Sequence, residues 1–406
     1  MMILEGKRIL LGICGGIAAY KAADLCSKLV QAGAHVEVIM TEAATHFVAP
    51  LTFAALSGHD TRLSLWEGSD IAHIALAREH DLFLIAPATA NTLAKLALGL
   101  ADNLLTATAL ASRAPLLVAP AMETGMWEHP ATQAHVQMLR QRGVTIAGPG
   151  MGRLASGGVG AGRMLEPWEI VEWARWRLGR EGPLAGVRVL ITAGPTREPL
   201  DPVRFLSNRS SGKMGMALAQ EARDRGAEVL LVHGPIALPT PPGIEAAAVE
   251  SAEQMRDAVV DRLDETDILI GAAAVADYRP AAVASEKIKK AGELTLTLVR
   301  TPDILSRVAD HREQHGTPRL LVGFAAETAD LLEQAKEKLY AKRLDLIVAN
   351  DVSAPDAGFA VDTNRVTLLD AVGNVEPLPL LPKVEVAARI MDRVIELWNS
   401  LGSGER

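Results

Sequence analysis

The chain has 406 residues and a formal net charge of −8, and the length predicts two domains because a single hydrophobic core stops growing at smaller sizes. The acidic balance excludes the basic surface that nucleic-acid binding requires. Hydrophobic residues reach 49% with only 4% aromatics, which predicts an interior of Ala, Val, Leu and Ile, as in a parallel α/β sheet covered by helices.

The chain has two cysteines, Cys14 and Cys26. Two cysteines in a chain of this size indicate no disulfide framework and favour a reducing compartment, so a cytoplasmic location is expected. The apolar run near the N-terminus is too short to cross a bilayer, and it is followed by a glycine turn and a helical pattern. We interpret it as a first strand and expect no membrane association.

Strands and helices alternate through the first half of the chain. Strands are predicted at 8–14, 35–40, 81–86, 115–119 and 144–147, and helices at 17–32, 89–98, 104–111 and 166–178. This alternation is typical of a doubly wound parallel sheet. The glycine-rich stretch at 150–162 is predicted to be a mobile loop.

An exposed linker is predicted at 179–186, and the alternation then starts again. Strands are predicted at 187–193, 228–233, 267–273, 294–299, 320–324 and 346–349, and helices at 212–225, 252–263 and 329–343, with another helix beginning in 301–305. Both halves are therefore expected to be Rossmann-like, with domains at 1–180 and 187–406.

The first candidate site follows the ends of the early strands. Gly15 and Gly16 offer backbone N–H groups at a helix N-terminus, where a phosphate is favoured. The segments 40–44, 86–91 and 119–127 also follow strands, at the edge where open α/β sheets bind ligands. A nicotinamide dehydrogenase is disfavoured because the turn is not G-x-G-x-x-G and the acidic ribose residue is missing.

These four segments together resemble the flavin-containing cysteine decarboxylases, specifically the decarboxylase half of the bifunctional phosphopantothenoylcysteine decarboxylase/phosphopantothenate–cysteine ligases. The resemblance implies a flavodoxin-like fold and an active-site histidine at His73. Met122, Met126, Trp127 and Arg163 keep their motif places, and Met126 and Arg163 are expected to contact substrate. The resemblance implies that FMN is bound by Gly15, Gly16, Ile17, Thr41, Thr89, Asn91, Asp102 and Asn103.

Two positions depart from the pattern of that family. Glu123 stands where an asparagine usually contacts the substrate carboxylate, and an ionised glutamate would repel that group. Ser156 stands where a cysteine usually donates a proton, and serine is a poorer acid than a thiol with a pKa of about 8.5. Two interpretations remain: proton delivery is reassigned in an active domain, or the domain is a degenerate FMN-binding scaffold. The conserved motif places of the other residues favour activity.

A flavin answers a specific chemical need in this reaction. A cysteine-type carboxylate has no adjacent electron sink, so its direct decarboxylation would leave a costly carbanion. Oxidation of the C–S bond gives a thioaldehyde β to the carboxylate, which accepts the electrons released with CO2. The protein has to supply orientation and a proton.

The second candidate site begins with a long loop rich in Pro, Ser and Arg within 191–215. It fails the P-loop pattern because Ser207 replaces the first glycine and Met214 replaces the Mg²⁺-binding Ser/Thr. What remains is a phosphate-binding turn, in which the amides of Ser210, Ser211 and Gly212 lie at a helix N-terminus.

Lysines follow in two places. Lys338 and Lys342 are four residues apart on one helix face, so both can reach one triphosphate. Residues 286–290, which include Lys287, form a second cationic run. Solvated charged faces are the ordinary alternative for both.

The motifs at 191–204, 207–215, 273–280, 286–290, 323–328 and 349–353 closely resemble the ligase half of the same bifunctional family. The resemblance implies formation of 4'-phosphopantothenoyl cytidylate from CTP, with Mg²⁺ or Mn²⁺, and its attack by L-cysteine; no metal ligands are assigned. Asn208 is expected to contact the acyl-cytidylate and can donate its amide to the carbonyl oxygen, and Lys287 is expected to be essential. CTP is expected to be bound by Gly271, Ala272, Ala273, Asp277, Pro302, Asp303, Ile304, Leu305, Phe324, Lys338 and Lys342.

The family resemblance also implies a homo-oligomer. It predicts a dimeric ligase half and a trimer-based decarboxylase half with flavin sites built between subunits.

Overall fold

The computed structural model describes residues 3–66, 72–290, 292–327, 331–351 and 361–403. The chain divides into two compact units, Met1–Gly179 and Arg180–Arg406. Among the described residues, every helix is too short or too polar to span a membrane.

The first unit is built around a parallel sheet. Its strands are β1 (Arg8–Ile13), β2 (His35–Met40), β3 (Leu82–Ala88), β4 (Leu116–Pro120), β5 (Thr145–Ile146), β6 (Gly150–Arg153) and β7 (Val159–Arg163). Its helices are α1 (Ala19–Gln31), α2 (Glu42–Thr45), α3 (Pro50–Ser57), α4 (Ala72–Arg78), α5 (Ala90–Leu98), α6 (Leu104–Ala111), α7 (Thr124–Trp127), α8 (Pro130–Gln141) and α9 (Pro167–Gly179). The sheet order β2-β1-β3-β4-β5 is the flavodoxin-like order.

Alternation along β1 places its side chains in two cores. Ile9, Leu11 and Ile13 pack with the buried faces of α1 and α9. Leu10 points to the opposite face, where it packs with α5, α6 and α8. Successive strand side chains alternate between the faces of a sheet, so a continuous apolar run such as β1 fits a sheet covered on both sides.

The second unit contains a larger sheet. Its strands are β8 (Arg188–Ala193), β9 (Arg197–Pro199), β10 (Phe205–Ser207), β11 (Glu228–His233), β12 (Ile244–Ala248), β13 (Ile268–Gly271), β14 (Tyr278–Pro280), β15 (Leu298–Arg300), β16 (Leu320–Glu327), β17 (Leu346–Asp351), β18 (Thr363–Asn364), β19 (Val366–Asp370), β20 (Val375–Pro377) and β21 (Leu381–Pro382). Its helices are α10 (Lys213–Asp224), α11 (Ala252–Val260), α12 (Ile304–His315), α13 (Leu331–Ala341) and α14 (Lys383–Ser403), with a 3-10 helix at Leu263–Glu265.

The strand order of the large sheet is β12-β11-β8-β13-β16-β17-β19-β20. Its first six strands are parallel and follow the Rossmann order 3-2-1-4-5-6, whereas β19 and β20 are antiparallel. Val189 and Ile191 pack with α10 and α14 on one face. Leu190 packs with α11, α12 and α13 on the other. The predicted fold class, two Rossmann-like α/β units with a flavodoxin-like first unit, is confirmed.

Several predicted elements differ from the structure. The predicted loop at 150–162 is wrong at both ends, since β6 and β7 form an antiparallel hairpin and only 154–158 connects them. α1 begins at Ala19 rather than at residue 17, because residues 15–18 are needed for the turn. The strand predicted at 294–299 is confined to Leu298–Arg300. The helix predicted from 329 begins outside the described residues, and the described part is Leu331–Ala341.

Helix α14 was not predicted, although it completes one core of the second unit. Its residues Val386, Ile390 and Val394 are fully buried and recur every four positions, which places them on one helix face. They pack against α10. The C-terminal residues therefore belong to the fold of the second unit.

We expect Ile390→Ala to lower the free energy of unfolding by about 3 kcal/mol, because it leaves a cavity between α14 and α10. The measurement is urea unfolding of the full chain followed by circular dichroism. Arg389→Ala, at an exposed position of the same helix, is the matched control and should change stability by less than about 0.5 kcal/mol. Equal stability of the two variants would contradict this packing.

Candidate functional site

The turn after β1 is held close to the segment that follows β2. A Cβ added at Gly15 would lie 2.5 Å from Ala43 Cβ, so only glycine fits there. At Gly16 the nearest atom to such a Cβ is Thr89 Cγ2, at 3.9 Å, which leaves room above the turn. Thr41 Oγ1 is buried and has no hydrogen-bond partner among the described residues. One edge of the sheet therefore brings together the predicted residues Gly15, Gly16, Thr41 and Thr89. The space above the Gly16 turn and the unpaired Thr41 hydroxyl lie at this edge.

Two neighbouring helices begin at the same edge, and their caps are predicted site residues. Thr89 Oγ1 accepts a hydrogen bond from the Thr92 amide at 3.3 Å at the start of α5. Asn103 Oδ1 accepts one from the Thr106 amide at 3.0 Å at the start of α6. These side chains fix the helix termini, where unpaired backbone N–H groups favour an anion. Asn91 lies exposed in the first turn of α5, and Ile17 is 61% exposed.

Asp102 precedes the cap of α6. Lys95 Nζ donates to Asp102 Oδ2 at 2.6 Å, and Asn103 Nδ2 donates to Asp102 Oδ1 at 3.1 Å. The hydrogen bond from Lys95 lowers the pKa of the Asp102 carboxyl below its ordinary value. Asp102 is thus ionised at neutral pH and fixes the orientation of Asn103.

Cys14 lies in the same turn but is a structural thiol. Thr92 Oγ1 donates to Cys14 Sγ at 3.1 Å, and the side chain is buried. Burial raises the pKa of the Cys14 thiol to about 11. A thiol in such surroundings is inert, so Cys14 does not replace the acid that the family places at position 156.

His73 lies half-buried on α4, which packs against α6. This places it on the helix next to the one capped by Asn103. Asp70 and Ile71, which precede it in the predicted motif, lie outside the described residues.

The hairpin β6–β7 is docked on the segment after β4. The Met122 amide donates to Gly162 O at 2.9 Å, and a Cβ at Gly162, whose φ is +143°, would lie 2.3 Å from Met122 O. A Cβ at Gly160 would lie 2.4 Å from Thr124 Oγ1. Glycine is therefore required by close contact with the Met122 backbone and the Thr124 side chain, and its abundance here reflects packing.

Docking of this hairpin brings the two departures from the family pattern together. Ser156 Oγ donates a hydrogen bond to Glu123 Oε2 at 2.8 Å. Met126, the predicted substrate contact, is 50% exposed on α7, which begins directly after Glu123. The exposed Glu123–Ser156 pair therefore forms one polar unit beside α7.

Arg163, at the end of β7, is paired with Glu166. Lys21 Nζ donates to the same carboxylate, Glu166 Oε1, at 2.9 Å. The hydrogen bond from Lys21 and the nearby Arg163 charge lower the pKa of the Glu166 carboxyl. Arg163 is held at the base of the hairpin while its side chain stays 45% exposed.

The second unit has a cavity of about 750 Å³ between the ends of β8 and β13. This is the point at which the strand order reverses, where open α/β sheets bind ligands. The cavity brings together predicted residues from five separate segments of the chain. They are Asn208, Ser210, Ser211, Gly212, Gly271, Ala272, Ala273, Asp277, Pro302, Asp303, Ile304, Leu305, Phe324, Lys338 and Lys342.

Further polar residues line the cavity that the sequence did not assign to the site. Lys213 and Asn350 lie within the predicted motifs without an assigned role, whereas Asn364 and Lys383 lie in no motif. Asn364 and Lys383 come from the segment that joins β17 to α14, which had no recognisable pattern. The chain returns to the cavity here because β19 and β20 pair antiparallel at the edge of the large sheet and are followed by α14. Residues 328, 352 and 353 of the predicted motifs lie outside the described residues.

Cations dominate the charged side chains that line the cavity. Lys213, Arg300, Lys338, Lys342 and Lys383 are cationic, whereas Asp277 and Asp303 are the lining carboxylates among the described residues. A wall with this excess of positive charge attracts polyphosphates.

Lys342 is tied to the N-terminus of α12. Its Nζ lies 3.1 Å from Asp303 Oδ1, and Asp303 Oδ1 also accepts from the Ser306 amide at 3.1 Å. Burial disfavours ionisation of Asp303, but the hydrogen bond from Ser306 and the Lys342 charge outweigh it and lower the pKa of this carboxyl. Asp303 is therefore both a helix cap and the anchor of a predicted CTP-binding lysine.

Lys213 and Lys383 form a second cationic group. Lys213 Nζ lies 2.5 Å from Asp362 Oδ1, and Lys383 Nζ donates to Val361 O at 2.6 Å. Burial and the Lys213 charge lower the pKa of the Lys383 amine, while the Asp362 charge opposes this shift. An anion bound between the two lysines would relieve their mutual repulsion.

Asn208 is oriented by the turn after β13. Its Nδ2 donates to Ala274 O and to Val275 O, both at 3.1 Å. This differs from the expectation that the amide N–H group is available to a bound intermediate, because the two carbonyls take both of its hydrogens. The carbonyl oxygen of the Asn208 side chain is left to face a ligand.

Asn350 supplies a second acceptor. Its Oδ1 atom is buried on the cavity wall and has no hydrogen-bond partner among the described residues. A buried acceptor without a partner is costly, so this position suits a ligand that carries an N–H or O–H group.

The turn before α10 differs in detail from the predicted phosphate-binding turn. The Gly212 amide donates to Ser210 Oγ at 3.3 Å, so one of the expected amides already has a partner. Gly212 caps α10 with a φ of +75°, a conformation that favours glycine. Lys213 and Met214, the first residues of α10, line the cavity, so the N-terminus of this helix lies at its edge.

Lys287 is not among the residues that line this cavity. Lys287 is exposed. The next residue, Ile288, is bound to the segment 201–204: its amide donates to Asp201 Oδ2 at 3.1 Å, and the Arg204 side chain donates to Ile288 O at 3.0 Å. Within one described chain the essential lysine implied by the resemblance is therefore separate from the other predicted residues.

Comparison with known proteins supports the assignment of both units. Residues 184–397 match the family model described as the DNA/pantothenate metabolism flavoprotein C-terminal domain, and residues 3–179 match the flavoprotein family model. The coenzyme A biosynthesis bifunctional protein CoaBC of Bacillus subtilis (strain 168) is 48% identical over 411 residues, with 100% of each chain covered. The CoaBC protein of Escherichia coli (strain K12) is 46% identical over 408 residues, covering 98% of this chain and 99% of that protein.

Among solved structures, a C-terminal domain of a coenzyme A biosynthesis bifunctional protein CoaBC is 43% identical to this chain, with a TM-score of 0.47. It covers 54% of this chain and 100% of that chain. The sequence relatives and family models decide the assignment: the chain belongs to the CoaBC family of coenzyme A biosynthesis bifunctional proteins. The resemblance stated from the motifs is confirmed.

We expect Gly162→Ala to undock the hairpin, because the new Cβ would overlap Met122 O. Limited trypsin digestion checks this, since Arg153 and Arg163 lie in the hairpin and should be cleaved faster in the variant. Gly125→Ala is the control, because a Cβ at Gly125 meets no atom within 4 Å. Equal cleavage rates in the wild type and Gly162→Ala would overturn the docking argument.

Proposed function

We propose that this chain catalyses two consecutive steps of coenzyme A biosynthesis. The unit at 187–406 joins 4'-phosphopantothenate to L-cysteine with CTP, and the unit at 1–180 decarboxylates the resulting 4'-phosphopantothenoylcysteine with FMN. Membership of the CoaBC family supports both activities. The observation that carries the ligase is the cationic cavity at the strand-order reversal, which gathers the predicted ligase residues other than Lys287.

The ligase reaction requires a carboxylate to become a good electrophile. Attack of the carboxylate on the α-phosphate of CTP gives an acyl-cytidylate and pyrophosphate, and the amine of cysteine then displaces CMP. Negative charge develops on phosphorus in the first step, so cations must lie beside the triphosphate. Lys338 supplies one from α13 and Lys342 another from the residue after this helix, and Lys213 and Lys383 supply two more from the first residues of α10 and α14.

Polar groups of the cavity orient the two substrates. Asn208 and Asn350 present carbonyl oxygens, which accept hydrogen bonds from N–H or O–H groups of the ligands. A Mg²⁺ or Mn²⁺ ion that accompanies the nucleotide would be held by a carboxylate and the phosphates, and would offset their negative charge. Asp277 is the cavity carboxylate that would suit this role, because Asp303 already caps α12 and holds Lys342.

We keep Lys287 as an essential residue within this proposal. Its exposed segment has to approach the cavity after a change of conformation or from another subunit. The homo-oligomer expected for the family, with a dimeric ligase half and a trimer-based decarboxylase half, allows the second route.

We expect Lys338→Gln and Lys342→Gln each to raise the KM for CTP by about tenfold or more, because each removes a charge-assisted hydrogen bond to phosphate. Steady-state kinetics of CMP release measures this. Lys336→Gln is the matched control: Lys336 lies on the same helix, pairs with Glu333 and does not line the cavity. A KM for CTP that stays within twofold of the wild type in both test variants would refute the assignment.

In the first unit, the β1–α1 turn and the caps of α5 and α6 are the groups that would hold FMN. Backbone amides at Gly15, Gly16 and Ile17 suit its phosphate, and Thr41 Oγ1 gains a partner. FMN supplies the oxidation of the C–S bond that makes decarboxylation feasible, and later returns the hydride. His73, Met126 and Arg163 orient the substrate around this edge of the sheet.

The Glu123–Ser156 pair provides the proton that the family's cysteine would otherwise provide. Glu123 is exposed, so it can take up a proton from solvent and relay it along its 2.8 Å hydrogen bond to the Ser156 oxygen, while the Ser156 proton passes to the substrate. Ser156 alone is too weak an acid to supply this proton, so the relay depends on the carboxyl group. The same hydrogen bond draws Glu123 toward the hairpin, which reduces repulsion of the substrate carboxylate.

We expect Glu123→Gln to slow formation of 4'-phosphopantetheine by about a hundredfold, the ordinary contribution of a general acid. The FMN content should be unchanged, because the amide can still accept the hydrogen bond from Ser156. Glu128→Gln, also exposed and five residues further along the chain, is the control. A rate within threefold of the wild type for Glu123→Gln would exclude this proton donor.

One incubation tests both activities. Protein is incubated with 4'-phosphopantothenate, L-cysteine, CTP and Mg²⁺, and the ligated and decarboxylated products are separated by mass. An active ligase with a degenerate flavin domain, which we do not favour, would stop at the ligated product.

The buried free thiols Cys14 and Cys26 suit the cytoplasm, where we place the enzyme.

A further inference from the structure

Two histidines and an aspartate meet on the surface of the second unit, outside the ligase cavity. His311 and His315 lie one turn apart near the end of α12, and Asp264 lies in the 3-10 helix at Leu263–Glu265. One side-chain donor atom from each of the three residues lies within 4.8 Å of the other two. Side chains four residues apart share a helix face, so the helix itself holds the two imidazoles together.

The contact between His311 and Asp264 has a distance that also fits two ligands of one metal ion, but it lacks the angular geometry of a hydrogen bond. His311 Nε2 lies 3.1 Å from Asp264 Oδ1, yet this buried nitrogen makes no hydrogen bond of acceptable geometry among the described residues. Adjacent ligands of tetrahedral Zn²⁺, bound at 2.0–2.2 Å, are about 3.3 Å apart. The distance between His311 Nε2 and Asp264 Oδ1 is therefore close to that expected for two ligands of the same Zn²⁺ ion.

The remaining ligand can reach the same point. The His311 and His315 rings are stacked, with centroids 4.3 Å apart and planes 20° from parallel. His315 is exposed and the Asp264 side chain is 80% exposed, so both side chains have room to turn about their torsions toward a shared ion. Water completes a tetrahedral site.

We propose that Asp264, His311 and His315 form a binding site for a divalent transition-metal ion of the Zn²⁺ type. Two imidazoles and one carboxylate suit Zn²⁺ and its neighbours, whereas Mg²⁺ prefers oxygen ligands. The site is therefore chemically distinct from that of the metal that accompanies CTP.

The role of this ion is structural. His311 and His315 lie about 10 and about 16 Å along the axis of α12 from Ile304, the cavity residue at its start, too far for the ion to touch the reacting groups. The ion instead joins the last turn of α12 to the 3-10 helix that leads into β13. Binding to the folded chain alone stabilises it by mass action.

Isothermal titration of the chelator-treated full chain with Zn²⁺, without nucleotide, tests the proposal. We expect a wild-type site that weakens at least about tenfold in His315→Ala and in Asp264→Asn, as loss of a ligand requires. Both side chains are exposed, so neither variant should unfold, and circular dichroism verifies this. His59→Ala, which removes an exposed histidine of the first unit, should leave the affinity unchanged.

Thermal unfolding gives a second readout. Zn²⁺ should raise the Tm of the wild type and of His59→Ala more than that of His315→Ala. If His315→Ala and Asp264→Asn bind Zn²⁺ with the affinity and stoichiometry of the wild type, the three residues form only a surface ion pair and the proposal is overturned.

Discussion

The parallel register of β8 and β13 determines where the second unit can bind a ligand. Ile191 lies opposite Ile270 and Thr192 opposite Gly271, so both strands end at the same level. The chain then leaves β8 toward α10 on one face and reaches α12 on the other after β13. A crevice has to open where the two connections diverge. β1 and β3 repeat this arrangement in the first unit, with α1 and α5 on opposite faces.

The same constraint explains which residues could be predicted from the sequence. The motifs at 191–204 and 273–280 begin at the carboxyl ends of β8 and β13, so their meeting at one edge is a consequence of a fold that periodicity already indicates. Lys213 lay within a motif but was interpreted only as part of a failed P-loop pattern. Lys383 and Asn364 reach the cavity through antiparallel strands and α14, and no local signal specifies that path.

Glycine shows a second limit of local reasoning. The residues between 150 and 162 have the composition of a flexible segment, and nothing in that composition distinguishes freedom of the backbone from close contact between two backbones. Gly162 is required because Met122 O occupies the position of its missing Cβ. Such a contact depends on residues 40 positions apart in the chain, so only the folded structure reveals it.

The same limit applies to Glu123 and Ser156. Considered one at a time, each substitution weakens the case for decarboxylation: an acidic group beside a carboxylate substrate, and a hydroxyl in place of a thiol. The structure joins the two by a hydrogen bond from the hydroxyl to the carboxylate, and in the proposed relay Glu123 takes up from solvent the proton that the hydroxyl cannot supply alone. Glu123 without Ser156 would repel the substrate carboxylate, and Ser156 without Glu123 would leave the site without a proton donor. Their contact therefore makes the pair more consistent with a working site than either residue is by itself.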